Sequence, residues 1–239
     1  MNATNSYALN PDLSIKLLNT LSQIQKVIVI ENLLLDPAAL MNFAKQHNFE
    51  AYPRTSAGKG YPGVRLTPPA EYSQTITELI KPLLQKEFGI PPETEMRKSE
   101  CAMSLMTVKP EDLGAVQRLP HFDTSNINQF AVLLYLCDQT HGGTAFYRHN
   151  ATGLEFINPQ TSDRYLSIFF DELEKQPPPL KYFTDSDERF TKIGFLPAAV
   201  NRMVIYRSCV LHSPYIVAER SIDANPRTGR LTVNTFVAF

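Results

Sequence analysis

The chain has 239 residues, 43% of them hydrophobic, and its 23 Lys and Arg against 24 Asp and Glu give a formal charge of -1. That content is enough to bury a core, which excludes a globally disordered chain. The balanced charge argues against a generally nucleic-acid-binding or membrane-surface protein.

The N-terminal "MNATNSYALNPDLS" has neither a basic n-region nor an apolar h-region, so it carries no signal-peptide pattern. No apolar run approaches the ~18 residues of a membrane-spanning helix. Cys101, Cys137 and Cys209 include no CxxC pair and lie in apolar surroundings, so they read as buried thiols in a reducing compartment. The expectation is a soluble cytoplasmic protein with no membrane or nucleic-acid partner. Its oligomeric state is not legible.

"KVIVIENLLL" (Lys26 to Leu35) is apolar and β-branched, a predicted strand. "DPAALMNFAKQH" follows as a short helix, with Asp36 as N-cap and Pro37 at the first helical position. The stretch Ala51 to Pro69 is rich in glycine and proline and predicts a loop. Ala70 to Gly89 has helical apolar spacing, with a kink expected at Pro82.

The pattern then changes. "ECAMSLMTV", "QFAVLLYLC", "GGTAFYRH", "GLEFIN", "NRMVIYRS", "CVLHSPYIV" and "RLTVNTFVAF" read as short strands between turns. One helix interrupts them, Ser162 to Gln176, capped by Ser162 or Asp163 and stopped before Pro177. Early helices and late strands predict a single α+β domain whose second half is an antiparallel sandwich or barrel of jelly-roll type. Residues 1–98 form the helical support and loop region, and residues 99–239 the jelly-roll core.

Chemistry concentrates in "RLPHFDTSNINQFAVLLYLC", which opens with a His-x-Asp. On an extended chain alternate side chains point the same way, so His121 and Asp123 share a face with Phe122 opposite. An imidazole nitrogen and a carboxylate oxygen so placed hold a divalent cation once a third ligand arrives, and "YRSCVLHSPY" offers His212. Two histidines and a carboxylate on one triangular face of an octahedron suit non-haem Fe(II) and leave positions open for a cosubstrate and oxygen. Zinc would ask for four tetrahedral ligands, and no thiolates stand at useful spacing. Alone, the pair is a weak signal, and a lone strand histidine such as His212 is more often a satisfied core or rim residue than a ligand.

Arg230 enters the final, otherwise apolar strand, a costly position unless an anion meets it. Its planar fork suits a carboxylate, though it also fits a side chain snorkelling to solvent at a strand start. Tyr135, inside "AVLLYLC", needs a partner for its hydroxyl and could serve the same carboxylate or be an ordinary core tyrosine. Gly142 and Gly143 permit a tight turn. His141 and His149 read as surface or rim residues, and His47 has no role.

The order of these parts resembles the Fe(II)/2-oxoglutarate-dependent dioxygenases, in particular their prolyl-hydroxylase-like branch and, within it, an uncharacterised bacterial subfamily. The likeness covers about Leu105 to Phe239 and implies the double-stranded β-helix, a cupin-like barrel. It makes His121, Asp123 and His212 the iron ligands and catalytic centre. It makes Arg230, helped by Tyr135, the grip on the distal carboxylate of 2-oxoglutarate. The implied reaction hydroxylates a C–H bond of an amino-acid-like or peptide substrate with molecular oxygen. The sequence departs from that branch at "GGTAFY", which lacks an acid after the glycines, and in the long polar loop between His212 and Arg230.

The loop Tyr52 to Arg65 and the hairpin Thr140 to Asn150 are the expected walls of the substrate site, with Arg65, Tyr61 and Arg148 as contacts. Two alternatives stay open: a cupin-like metalloenzyme that does not use 2-oxoglutarate, and a non-catalytic jelly-roll binding scaffold.

Overall fold

A computed structural model describes residues 6–19, 26–53, 60–216 and 221–239. In chain order the elements are β1 (Ser14–Leu18), β2 (Val27–Glu31), α1 (Pro37–Gln46), β3 (Glu50–Ala51), β4 (Gly63–Leu66), α2 (Ala70–Phe88) and β5 (Arg97–Met106). Then come β6 (Gln129–Tyr135), β7 (Gly143–His149), α3 (Ser162–Lys175), β8 (Phe190–Pro197), β9 (Arg202–Arg207), β10 (His212–Tyr215) and β11 (Thr232–Ala238). Short 3₁₀ turns link some of them.

Two antiparallel sheets result, one of eight strands in the order β1-β2-β9-β6-β11-β5-β4-β3 and one of three, β10-β7-β8. The protein is thus mostly antiparallel sheet with few helices. The first 98 residues supply edge strands to the large sheet as well as helices.

Strict alternation along β6 assigns its faces. Phe130, Val132 and Leu134 join Leu40, Tyr72, Ile76 and Ile80 in a core between the large sheet and helices α1 and α2. Ala131 and Tyr135 point the other way, into a core shared with Val204 and Tyr206 of β9 and with Phe146 and Leu196 of the small sheet. The two sheets therefore pack over this second core. A third core, of Ala145, Tyr147 and Phe190 with Tyr165 and Phe169, seats α3 on the outer face of the small sheet. Each fully buried side chain of this size contributes roughly 1.5–3 kcal/mol.

Helix signals were accurate at α1, where Asp36 accepts a hydrogen bond from the Ala38 N–H and Pro37 starts the helix. They were also accurate at α2, which ends at Gly89 in the left-handed conformation. Pro82 sits inside α2 without ending it. The start of α3 differs: Thr161 occupies the cap position without a capping bond of its own, and Asn158 Oδ1 accepts from the Thr161 N–H instead.

Other differences are instructive. "GLEFIN" is not a strand; Leu154 and Phe156 make only isolated bridges, to His149 and Val210. β8 forms where no strand was predicted. β3 and β4 form within the predicted loop, whose residues 54–59 lie outside the described residues, as do Val217 at the end of the predicted strand around His212 and the start of the loop that follows. Cys137 and Cys209 are buried, Cys101 is half-buried, and all three are free thiols. No described helix is long and apolar enough to cross a membrane.

Candidate metal centre

The main chain brings His121 and His212 together. His121 lies beyond the short turn Ala115–Arg118 and outside the named strands, in an isolated antiparallel bridge to His212. The two residues exchange both backbone hydrogen bonds, at 2.9 and 2.8 Å. His212 opens β10, which is registered on β7 with His212 opposite Phe146. Two residues past His121, the Asp123 N–H donates to the Ser208 carbonyl at 2.8 Å. Asp123 is thereby anchored to the end of β9, on the same segment that leads to His212.

The side chains then converge. One nitrogen of each histidine and one oxygen of Asp123 lie within 4.8 Å of one another. Nε2 of His121 is 3.8 Å from Asp123 Oδ1 and Nε2 of His212 is 3.9 Å from the same oxygen. Two ligands at right angles on bonds of about 2.1 Å lie about 3 Å apart, so closing on an ion asks for movements of under about 1 Å. The Nδ1–H of His212 donates to the Val210 carbonyl at 2.8 Å. That bond fixes the tautomer and leaves the Nε2 lone pair free for a metal. The Tyr206 ring meets His212 edge-on, its centroid 4.9 Å away.

Electrostatics favour cation capture. Burial depresses the His121 imidazole to about 4, with the neighbouring His212 adding to the effect and Asp123 opposing it. His212 falls to about 4 as well, again mainly through burial, against the Val210 hydrogen bond. Both rings are neutral and able to ligate at neutral pH. His212, with 8% of its side chain accessible, is the more fully desolvated of the two; His121, with 47% accessible, keeps contact with water that lessens the burial effect. Burial raises the Asp123 carboxyl, with His121 opposing.

These three residues line a cavity of about 900 Å³ together with Arg230, Thr144, Tyr61 and Arg65. Arg230 is 3% exposed. Its Nη2 donates to the Gly143 carbonyl at 3.0 Å, and its Nε is buried with no partner among the described residues. The Tyr61 hydroxyl and Thr232 Oγ1 are likewise buried, and the two lie close enough for the Thr232 hydroxyl to act on the Tyr61 oxygen. Burial pushes the Tyr61 hydroxyl up to about 12, against the nearby Arg230 and Arg65 cations. An under-bonded guanidinium with two buried hydroxyls near it forms a cradle that an anionic carboxylate would complete.

Tyr135 is brought to this region, but its hydroxyl is already engaged. It bonds Thr144 Oγ1 at 2.5 Å, and its ring underlies the Arg230 guanidinium at 5.6 Å. Thr144, one step from the tight Gly142–Gly143 turn, lines the cavity. The Gly142 turn has φ +85°, and a Cβ there would lie 1.6 Å from the Tyr215 carbonyl oxygen.

Of the expected wall residues, Tyr52, Tyr61 and Arg65 line the cavity. Arg148 does not; it pairs with the fully buried Glu155 at 2.9 Å. His149 is no surface residue, being fully buried. Its Nδ1 meets Thr152 Oγ1 at 2.9 Å and its Nε2 meets Glu172 of α3 at 2.8 Å. The sequence held no local signal for this, because Glu172 comes from a helix that follows the hairpin. Thr144 and Thr232 were missed because threonine is ordinary in strands. Tyr61 was noted only as a substrate contact.

A family model matches residues 11–237, nearly the whole chain, and describes a family of unknown function. The chain belongs to DUF6445. No curated protein matches it. Among solved structures, this DUF6445 chain is similar to SnoN, a non-heme alpha-ketoglutarate-dependent epimerase from nogalamycin biosynthesis, with 13% identity, TM-score 0.48 and coverage of 88% of this chain and 76% of that one. It is also similar to HygX from Streptomyces hygroscopicus, solved with nickel, 2-oxoglutarate and hygromycin B, with 9% identity, TM-score 0.46 and coverage of 89% and 81%. The corresponding values for AviO1 from Streptomyces viridochromogenes Tue57 are 13%, 0.45, 87% and 86%.

Proposed function

We propose that this protein is an Fe(II)- and 2-oxoglutarate-dependent oxygenase that hydroxylates a C–H bond of an amino-acid-like or peptide substrate. Its two sheets would be the halves of a double-stranded β-helix of the prolyl-hydroxylase-like kind. One observation carries the reading: a His121–Asp123–His212 facial set opens into the same cavity as the buried, under-bonded Arg230. A structural metal site would be closed by a fourth protein ligand. Here the three donors face a cavity large enough for a cosubstrate and a substrate together.

Fe(II) and 2-oxoglutarate together would supply the activation of molecular oxygen. The chain's own residues do the rest. His121, Asp123 and His212 hold the ion on one face, and the Val210 carbonyl keeps the His212 ring in the ligating tautomer. Arg230 takes the distal carboxylate as a fixed cation, with the Thr144 and Tyr61 hydroxyls beside it. Tyr135 acts as a positioning residue, its hydroxyl orienting Thr144 and its ring seating Arg230. Leu133, Val116 and Phe236 give the cavity apolar walls that limit water.

Anaerobic titration with Fe(II) and then 2-oxoglutarate tests the reading. The expected result is a weak visible charge-transfer band that needs both additions and is lost in Asp123→Ala. Metal binding without the band would leave a metalloenzyme that does not use 2-oxoglutarate. No metal binding would leave a binding scaffold.

A further inference from the structure

The cavity holds one charge pair that neither the metal nor the cosubstrate requires. Arg65 of β4 and Glu100 of β5 face each other as an ion pair on the cavity wall. Both line the same cavity as Asp123 and the two histidines.

Arg65 is held in an unusual way. Its guanidinium lies 4.3 Å from the Tyr52 ring centroid and 4.8 Å from that of Tyr61, which steadies the plane by cation–π contact. Among the described residues its Nη1 alone makes a hydrogen bond, to Glu100. Its Nε is buried and has no partner among the described residues. The Nε–H and Nη2–H groups share one edge of the guanidinium, the edge that grips a carboxylate with two parallel bonds. Arg65 is therefore a held fork whose side edge has no acceptor among the described residues, and an acidic group stands beside it.

Charge balance selects what fills it. Arg65 and Arg230 oppose Glu100 and Asp123 within the cavity. A divalent ion and the dianionic cosubstrate cancel each other in turn. A net-neutral guest with adjacent opposite charges preserves this balance, whereas a simple anion or cation leaves a charge uncompensated at low dielectric. The remaining wall is mixed: Gln117, Gln129, Asn234 and Thr235 add polar groups, and α3 contributes an apolar stretch of Leu166, Phe169 and Phe170, of which Phe170 is 43% exposed.

Resting on the oxygenase reading, we infer that the substrate is a free α-amino acid with a large apolar or aromatic side chain. Its carboxylate sits on Arg65, its ammonium on Glu100, and its side chain lies against the α3 wall.

The test uses the full-length protein loaded anaerobically with Mn(II) and 2-oxoglutarate, whose binding is measured first. Calorimetric titration follows with free L-leucine, L-isoleucine, L-methionine, L-phenylalanine, L-tyrosine and L-tryptophan. The best of these is compared with its amide and its N-acetyl derivative. At least one free amino acid should bind, with both capped forms weaker by about tenfold or more. Arg65→Met should weaken it by about 30-fold or more, and the near-isosteric Glu100→Gln by about three- to tenfold, since 38% of the Glu100 side chain is open to solvent; Mn(II) and 2-oxoglutarate affinities should change by less than either. The inference is overturned if no member of the panel binds, if the capped forms bind as well as the free acid, or if a correctly folded Glu100→Gln protein binds it like the wild type. Failure of wild-type protein to bind Mn(II) or 2-oxoglutarate would instead sink the oxygenase reading, and this inference with it.

Discussion

Replacing Arg230 by Met should disconnect cosubstrate binding from metal binding. Arg230 is 3% exposed, its Nη2 bonds Gly143, and its Nε has no partner among the described residues. A carboxylate bound there would be fully desolvated and would depend on this one cation. Truncating one partner of such a buried charge pair costs about 2–5 kcal/mol. At 1.4 kcal/mol per tenfold, that is a loss of roughly 30- to several-thousand-fold in affinity. The assay is calorimetric titration of 2-oxoglutarate into anaerobic Mn(II)-loaded protein, with Mn(II) affinity measured in parallel. Arg230→Lys should fall between, because it keeps the charge and loses the fork. A 2-oxoglutarate Kd within threefold of wild type in a well-folded Arg230→Met protein would refute the assignment of Arg230.

Three further outcomes are expected. In metal-free protein, stability should fall as pH drops from about 6.5 to about 4, because the unfolded chain protonates His121 and His212 there while the fold keeps them neutral. The upward shift of Asp123 opposes this with one group against two; a urea midpoint that rises or stays level between about pH 7 and about pH 5 would contradict it. His149→Leu removes both ring hydrogen bonds under α3 and should cost about 1–3 kcal/mol. Thermal unfolding should register this as a fall of about 2–12 °C at 2–4 °C per kcal/mol for a chain of this size, with Fe(II) affinity kept. Gly142→Ala forces a Cβ toward the Tyr215 carbonyl at φ +85° and should lower stability by about 2 kcal/mol or more from the backbone alone, read as a lower melting temperature or loss of soluble protein.

Elements with a strong apolar run or a clear cap were legible in the sequence. β6 is apolar throughout because its two faces enter two cores, so the run itself announced a buried strand. α1 carried its Asp-Pro start in plain view. β8 did not, because Lys192 and Gly194 interrupt its apolar pattern and Phe195 is 42% exposed. β1 was equally hidden: Ile15 and Leu17 are exposed on a sheet edge, where burial imposes little pattern. "GLEFIN" misled in the opposite direction, since its apolar residues fill cores from an irregular segment.

At the site, the His-x-Asp and the distal histidine were visible as residue types, and their meeting is a tertiary fact carried by the bridge between His121 and His212. The cradle around Arg230 was half visible. An arginine in an apolar strand is conspicuous in a sequence. The Tyr61, Thr144 and Thr232 hydroxyls gathered near it come from three different segments and leave no spacing to read.

The reciprocal main-chain hydrogen bonds between His121 and His212 have a practical consequence. Two of the three donors are fastened to each other by polypeptide rather than by the ion they would share. A zinc finger unravels when its ion is chelated away. This scaffold, by contrast, should survive being stripped and refilled, so that redox-silent ions can replace iron and bound states can be studied without turnover.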